Sequence, residues 1–278
     1  MGTMTLHTTA LDASRGIARS TRPRLAAATA LVTLSIAACG RFRFTPSADD
    51  SGPGGGSLDS SPPGPTLVQQ STSFMTPVSS LTGTLPRAPT PGNLLVILAA
   101  YLEGNLQPPL GGGVTDWRFA DGSIIHSNIE IWYGVVSAQP DAAVTISAAM
   151  TNSTTPILAT VRLQILEWSG LVATKQEVLD AASAGSGGVS PASAPTIMTT
   201  HPADLVVFGI SDLDETSMIG APTDGPWQAL DPIKVLDDSI QRSWYRTIST
   251  AGSLAPAVAD PAAKPKWDAA ITAFKVAP

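Results

Sequence analysis

Two similar stretches decide the fold: residues 91–102 read PGNLLVILAAYL, and residues 202–212 read PADLVVFGISD. In each, a turn that begins with proline leads into an unbroken apolar run, from Leu94 to Tyr101 and from Leu205 to Ile210. Apolar runs of this length are typical of strands that are covered on both faces. The two stretches lie 111 residues apart, so they predict two buried strands in equivalent positions of a repeat.

Three further pairs of markers follow in the same order. They are spaced by 110, 112 and 107 residues, and they are Trp117 with Trp227, Trp132-Tyr133 with Trp244-Tyr245, and Ile165-Leu166-Glu167 with Thr272-Ala273-Phe274. We therefore expect two weakly repeated halves, about 80–170 and 190–278, that face each other and bury a shared core. A single β-sandwich over residues 66–278 is preferred to two separate domains.

The composition favours an all-β chain. Only 14% of the residues are charged, and the chain has 24 glycines and 24 prolines, which together favour short strands and many turns. Residues 129–135, IEIWYGV, and 161–167, VRLQILE, also alternate with the period of two that strands show.

The N-terminal region has the pattern of an export signal. Four arginines lie between residues 15 and 24, and a short apolar stretch from Leu25 to Ala38 follows them. The run Leu34-Ser35-Ile36-Ala37-Ala38-Cys39 resembles the bacterial lipobox, and Cys39 is the only cysteine of the chain. The resemblance implies that residues 1–38 are cleaved, that a diacylglyceryl group is attached to the Cys39 thiol, and that the new N-terminus is acylated. Residues 39–65, rich in Gly, Pro and Ser, are predicted to form a disordered tether.

Charge and residue usage exclude several functions. The net charge of −6 becomes −9 once residues 1–38, with four arginines and one aspartate, are removed. Such an acidic chain lacks the basic patch that nucleic-acid binding needs. Beyond residue 38 only His126 and His201 remain, and both are interpreted as surface or loop residues. We accordingly predict no catalytic residues, no cofactor, no metal ion and, with one cysteine, no intramolecular disulfide.

The pattern also resembles an uncharacterised β-sandwich module of secreted and surface proteins of bacteria. The motifs that carry the resemblance are Gly92 to Val96, Val114-Thr115-Asp116, Trp132-Tyr133 and Glu167-Trp168-Ser169-Gly170. It covers most of residues 80–278 and implies a jelly-roll-like or lectin-like fold. It supplies no catalytic residues.

Polar and aromatic side chains alternate on three predicted strands and suggest a saccharide platform. Tryptophan rings could stack on sugar faces while polar neighbours bind the hydroxyls; the alternative is that the rings belong to the core. The candidate residues are Glu130 and Trp132 on one strand, Arg162, Gln164 and Trp168 on the next, and Arg242, Trp244 and Arg246 on the last.

Acidic residues leave two further alternatives. Glu130 and Glu167 each lie on a strand, so they could serve as the acid and base of a glycoside hydrolase if they came close enough. The clusters Asp212-Leu213-Asp214-Glu215 and Asp237-Asp238 could bind calcium or could be solvated turns.

The function that the sequence favours is non-catalytic. We expect a lipid-anchored module of the cell envelope that faces the periplasm or the cell surface. It would bind a saccharide or another envelope component, or serve as surface structure. The alternatives are the hydrolase and a purely structural spacer.

Overall fold

Strands account for all the regular secondary structure of the described chain. The computed structural model describes residues 64–102, 104–123, 128–150, 153–174, 177–212, 220–234, 240–259 and 266–278. These residues include no helix, so the prediction of an all-β fold is confirmed. Within the same residues, no segment forms a helix of the length and apolarity that crossing a membrane requires.

The strands are, in chain order, β1 (Thr66–Val78), β2 (Ser80–Thr84), β3 (Leu94–Leu102), β4 (Asn105–Gly111), β5 (Arg118–Ser123), β6 (Ile129–Val135), β7 (Ala143–Ala149), β8 (Ala159–Ser169), β9 (Leu179–Gly187), β10 (Ala192–Ser193), β11 (Ile197–Met198), β12 (Leu205–Asp212), β13 (Gln228–Ala229), β14 (Ile233–Lys234), β15 (Ile240–Thr247), β16 (Ser253–Leu254), β17 (Ala257–Val258) and β18 (Trp267–Phe274).

The strands pair in antiparallel sheets. One sheet has five strands in the order β1-β8-β3-β6-β5, and another has six, in the order β13-β15-β12-β18-β9 with β14 also on β15. A third sheet, β2-β7-β4, and two short ribbons, β10-β17 and β11-β16, complete the described pairing. The apolar stretches that opened the sequence analysis are β3 and β12, and each lies in the middle of a large sheet.

The two large sheets repeat one topology. β3, β6 and β8 are arranged in the first sheet as β12, β15 and β18 are in the second, and the outer neighbours β1 and β9 also correspond. The pairs Ile97–Trp132 and Phe208–Trp244 occupy matching positions, which reproduces the predicted spacings of 111 and 112. The sequence repeat is therefore a structural repeat.

One marker of the repeat was aligned wrongly by one residue. Leu94 pairs with Trp168 and Leu205 pairs with Phe274, so the last strands correspond at a spacing of 106 and not 107. A one-residue slip moves every side chain to the opposite face of a strand. With the observed spacing, Trp168 and Phe274 both face the same core.

Three apolar layers hold the sheets together. The shared core between the two large sheets contains Leu94, Val96 and Trp168 from the first half and Leu205 and Phe274 from the second. The opposite face of each large sheet is also covered. The sheet β2-β7-β4 packs on the first large sheet, and the segments that carry β10, β11 and β17 pack on the second. The halves thus face each other across a common core, as expected, and each half adds an outer layer.

Several predicted features lie outside the described residues. They are the signal peptide 1–38, the lipidation site Cys39, the tether up to residue 63, His126, Asp237-Asp238 and all of the cluster 212–215 except Asp212.

Candidate functional site

The tryptophans of the predicted platform are core residues. Trp132, Trp168 and Trp244 are 8%, 0% and 2% exposed, and each faces a different one of the three apolar layers. Their rings therefore pack inside the protein and do not form one shared surface. Both faces of each large sheet are covered, which agrees with the alternative that the rings belong to the core.

The polar members of the same set are also buried, apart from a half-buried Arg242. Arg162 and Gln164 are fully buried, and Glu130 and Arg246 are nearly so. Gln164 joins the two halves: the Ser243 hydroxyl donates to its Oε1, and its Nε2 donates to the Asp231 carbonyl at 3.1 Å. The hydrogen bonds of Gln164 are thus made inside the protein, between the two halves.

Glu130 has its hydrogen-bond partners within the first half. The Tyr101 hydroxyl donates to one carboxyl oxygen at 2.6 Å, and the Trp132 indole donates to the other at 2.8 Å. Burial raises the pKa of Glu130 in spite of these hydrogen bonds. Burial also raises the pKa of Tyr101, and the neighbouring Glu130 raises it further.

Glu167 holds the turn that precedes β3. Its carboxylate accepts hydrogen bonds from the Gln69 amide, from the Thr90 backbone N–H at 2.8 Å and from the Asn93 amide. The side chain is fully buried. Three donors on one carboxylate, contributed by β1 and by the turn, make Glu167 a structural cross-link.

The two glutamates are too far apart to act together. They lie on the two strands that flank β3, where Glu130 is opposite Ala99 and Glu167 is opposite Leu95. Four residues along a strand and two strand spacings across the sheet place their backbones about 16 Å apart. Acid–base pairs of glycoside hydrolases are separated by at most about 9.5 Å. The geometry gives the Glu130–Glu167 pairing no support.

An open cleft lies at one end of the six-stranded sheet. Its volume is about 310 Å³, and it is lined by Pro226, Arg246 and the continuous segment 247–254. The guanidinium of Arg246 lies 4.5 Å from the centre of the Trp227 ring. It also donates to the Asp224 carbonyl at 2.8 Å and pairs with the Asp224 carboxylate at 3.3 Å. Arg246 is thus the one member of the predicted platform that reaches this cleft.

The cleft lining is rich in hydroxyl groups. Thr247, Ser249, Thr250 and Ser253 all contribute to it, and among the described lining residues there is no carboxylate or histidine. This chemistry suits the binding of a hydroxylated, uncharged molecule.

A second cluster, Asp180, His201 and Asp204, lies beside the same loop. One ligand atom from each of the three residues falls within 4.8 Å of the others. The Asp180 carboxylate accepts a hydrogen bond from the Thr200 backbone N–H at 2.6 Å and lies 3.1 Å from His201 Nδ1. The Ile248 N–H donates to the Asp204 carbonyl at 3.0 Å, which connects the cluster to the cleft loop.

The two carboxyl groups of this cluster affect each other strongly. Burial, followed by the contact with Asp180, raises the pKa of Asp204 to about 8. Burial alone would raise the pKa of Asp180 as well. The hydrogen bonds to Asp180 from Thr200, Asp204 and His201 outweigh that effect and hold its pKa below the ordinary value. Sequence reasoning missed this cluster because Asp180 lies some 20 residues before its partners.

Comparisons with models of protein families, with curated proteins and with solved structures found no match for this chain.

Proposed function

We propose that this protein is a lipid-anchored module of the cell envelope that binds a hydroxylated envelope component, of which a saccharide is the best example, without catalysis. Its anchor would be the lipid on Cys39 after removal of residues 1–38. The basic flank, the short apolar stretch and the lipobox-like residues up to Cys39 support this anchor. One acyl chain binds membranes only marginally, whereas the two or three chains expected here would anchor the protein durably.

The tether would hold the folded part away from the membrane. For the 27 residues from Cys39 to Pro65, a flexible chain has a mean reach of about 25–30 Å. The negative net charge opposes direct adsorption to anionic lipid, so the membrane is a partner only through the lipid. The same charge argues against nucleic acid as a partner.

The cleft beside Arg246 is the observation that carries the proposed binding role. It combines hydroxyl groups, exposed backbone and the edge of an arginine that is stacked on Trp227. Arg246 already pairs with Asp224, so its charge is compensated and an anionic ligand gains little from it. A neutral ligand with many hydroxyl groups fits this lining best.

The binding role can be tested with the soluble Cys39→Ser protein. It would be screened against an array of neutral envelope saccharides, and each hit would then be titrated by calorimetry. Ser249 is exposed and lines the cleft, so Ser249→Phe should fill the cleft and weaken binding. Ser80→Phe places the same ring at an exposed position on the first half and serves as the control. The absence of any ligand at millimolar concentrations would contradict the proposal and favour a spacer, and equal binding by both variants would contradict the assignment of binding to this cleft.

A further inference from the structure

The repeat allows one position to be compared in two versions within the same molecule. A turn precedes the inner strand of each half, and its third residue has a left-handed backbone in both: Gly92 with φ 87° and Ala203 with φ 65°. The next residue, immediately before the strand, is Asn93 in the first half and Asp204 in the second. A β-bulge in the neighbouring edge strand also occurs in both halves; it inserts Val68 in β1 and Asp180 in β9.

In the first half, donors and acceptors at this position are matched. The Asn93 amide donates to Glu167, and the Glu167 carboxylate accepts further hydrogen bonds from Thr90 and Gln69. An amide that faces a carboxylate needs no further hydrogen-bond partner or ion between the two groups, because the amide donates and the carboxylate accepts. The first half therefore fixes its turn without any added ion.

In the second half, the residue at this position is an acid, and no amide faces a carboxylate there. Ala273 replaces the carboxylate of Glu167, since Ala273 pairs with Val206 as Glu167 pairs with Leu95. The acid comes instead from the bulge residue, Asp180, and it faces a second acid, Asp204. The Asp204 side chain is fully buried, and neither of its oxygens accepts a hydrogen bond from a donor in the described structure. Burying two carboxyl groups in contact is costly unless a positive charge is shared between them.

We propose that Asp180, His201 and Asp204 bind one divalent transition-metal ion, with Zn²⁺ as the reference ion. Carboxylate oxygen together with imidazole nitrogen is a ligand set that zinc accepts, and three protein ligands leave a fourth position for water. The His201 side chain is half exposed, so the fourth position faces solvent. Ligand atoms around zinc lie about 3.3 Å apart, so a set within 4.8 Å of one another needs only small side-chain shifts.

The ion would fasten two parts of the second half, to which the cleft loop is joined by hydrogen bonds. Asp180 belongs to the bulge of edge strand β9, and His201 and Asp204 belong to the turn before β12. The cleft loop is tied to this turn by hydrogen bonds between Thr199 and Gly252, at 2.9 Å and 3.0 Å, and by the Ile248 N–H on Asp204. The site would thus order the loop that lines the cleft. It requires neither the lipid anchor nor a saccharide ligand.

The test uses the full chain, treated with a chelator and then titrated with Zn²⁺ against a chromophoric competitor. We expect saturable uptake of one ion per chain. Asp204→Asn recreates the donor–acceptor pair of Asn93 and Glu167, so this variant should fold without the ion. It should lose zinc affinity by about 100-fold or more, because mutating residues that only hydrogen-bond to metal ligands already costs about 10–100-fold. His201→Ala should cause a similar loss, and Asp141→Asn, an exposed carboxylate elsewhere, should cause none.

A thermal scan gives a second readout. At a zinc concentration 100 times Kd, the unfolding midpoint of the unmodified chain should rise by about 5–10 °C, and that of Asp204→Asn should not. The proposal is overturned if the chain takes up no zinc above one-tenth of an equivalent, or if Asp204→Asn binds zinc as tightly as the unmodified chain. Because Asp204→Asn is expected to keep its metal-free midpoint, a loss of binding can be separated from a loss of folding.

Discussion

Gly209 allows the packing of the two halves to be tested with a single methyl group. Gly209 lies in the middle of β12, on the face that meets the first half. A Cβ at this position would lie 2.6 Å from Leu98 Cδ2 and 2.9 Å from Ile129 Cδ1, and both contacts belong to the opposite sheet. Ordinary contacts between carbon atoms are about 3.5–4.0 Å, so about 1 Å of room is lacking. Gly209→Ala should therefore overpack the shared core.

The size of the effect follows from the burial of the neighbours. Leu98 and Ile129 are fully buried, so their side chains cannot move out into solvent. Overpacking a close-packed core costs about 1–3 kcal/mol. For a folded region of this size, each kcal/mol lowers the thermal midpoint by about 2–4 °C, so we expect a decrease of about 2–12 °C. Denaturant unfolding followed by the fluorescence of the six tryptophans measures the free energy directly.

Two further variants identify the cause of this effect. Gly220→Ala adds the same methyl group where nothing lies within 4 Å, so it should leave the stability unchanged. Leu98→Val removes the methyl group that Gly209→Ala would strike, so the double variant should be more stable than the sum of the single changes predicts, by about 0.5 kcal/mol or more. If Gly209→Ala is as harmless as Gly220→Ala, the two large sheets do not pack at this point and the shared core is placed wrongly.

Three other predictions concern buried polar groups. Burial raises the pKa of Glu130, so the folded protein keeps this proton at pH values where the unfolded chain has lost it. The free energy of unfolding should therefore fall as pH rises above 4.5. Urea titrations across pH should show that Glu130→Gln flattens this dependence. Glu167→Ala leaves three donors without their acceptor and should destabilise the protein by about 3 kcal/mol; an unchanged denaturant midpoint would refute its role as a cross-link. Gln164→Leu keeps the side-chain volume but leaves the Ser243 hydroxyl and the Asp231 carbonyl without their hydrogen-bond partner, so it should lower the free energy of unfolding by about 1–3 kcal/mol. An unchanged free energy of unfolding would mean that this contact between the halves is not formed.

Local patterns predicted the strands and the repeat but not the layers outside them. The apolar runs of β3 and β12 required cover on both faces, and the spacing of the markers gave the equivalence of the two large sheets. The sequence did not identify which segments cover the outer face of each large sheet. In β7, Val144, Ile146 and Ala148 alternate with less buried neighbours, and such a short pattern is weak on its own.

The burial of the polar residues of the candidate platform could not be predicted from the sequence. Glu130 is buried because the Tyr101 hydroxyl and the Trp132 indole satisfy its two oxygens, and Tyr101 is 29 residues away in the chain. The cluster of Asp180 and Asp204 depends in the same way on a β-bulge that brings distant residues together. Contacts of this kind depend on register and topology, which spacing along one sequence does not specify. The substitution of Asp204 for Asn93 within the repeat is visible in the sequence, and it is the signal that could have identified the cluster.

The most direct test of the exported, lipid-anchored protein is the intact mass of the mature chain, measured after extraction of the native host's membranes with detergent. The chain should begin at Cys39 and carry a diacylglyceryl group with one further acyl chain at the N-terminus or without it, and the Cys39→Ser protein should be absent from the membrane fraction after high-salt washing. A mature chain that begins at another residue, or an unmodified Cys39 on a protein that still remains with the membranes, would contradict the anchor.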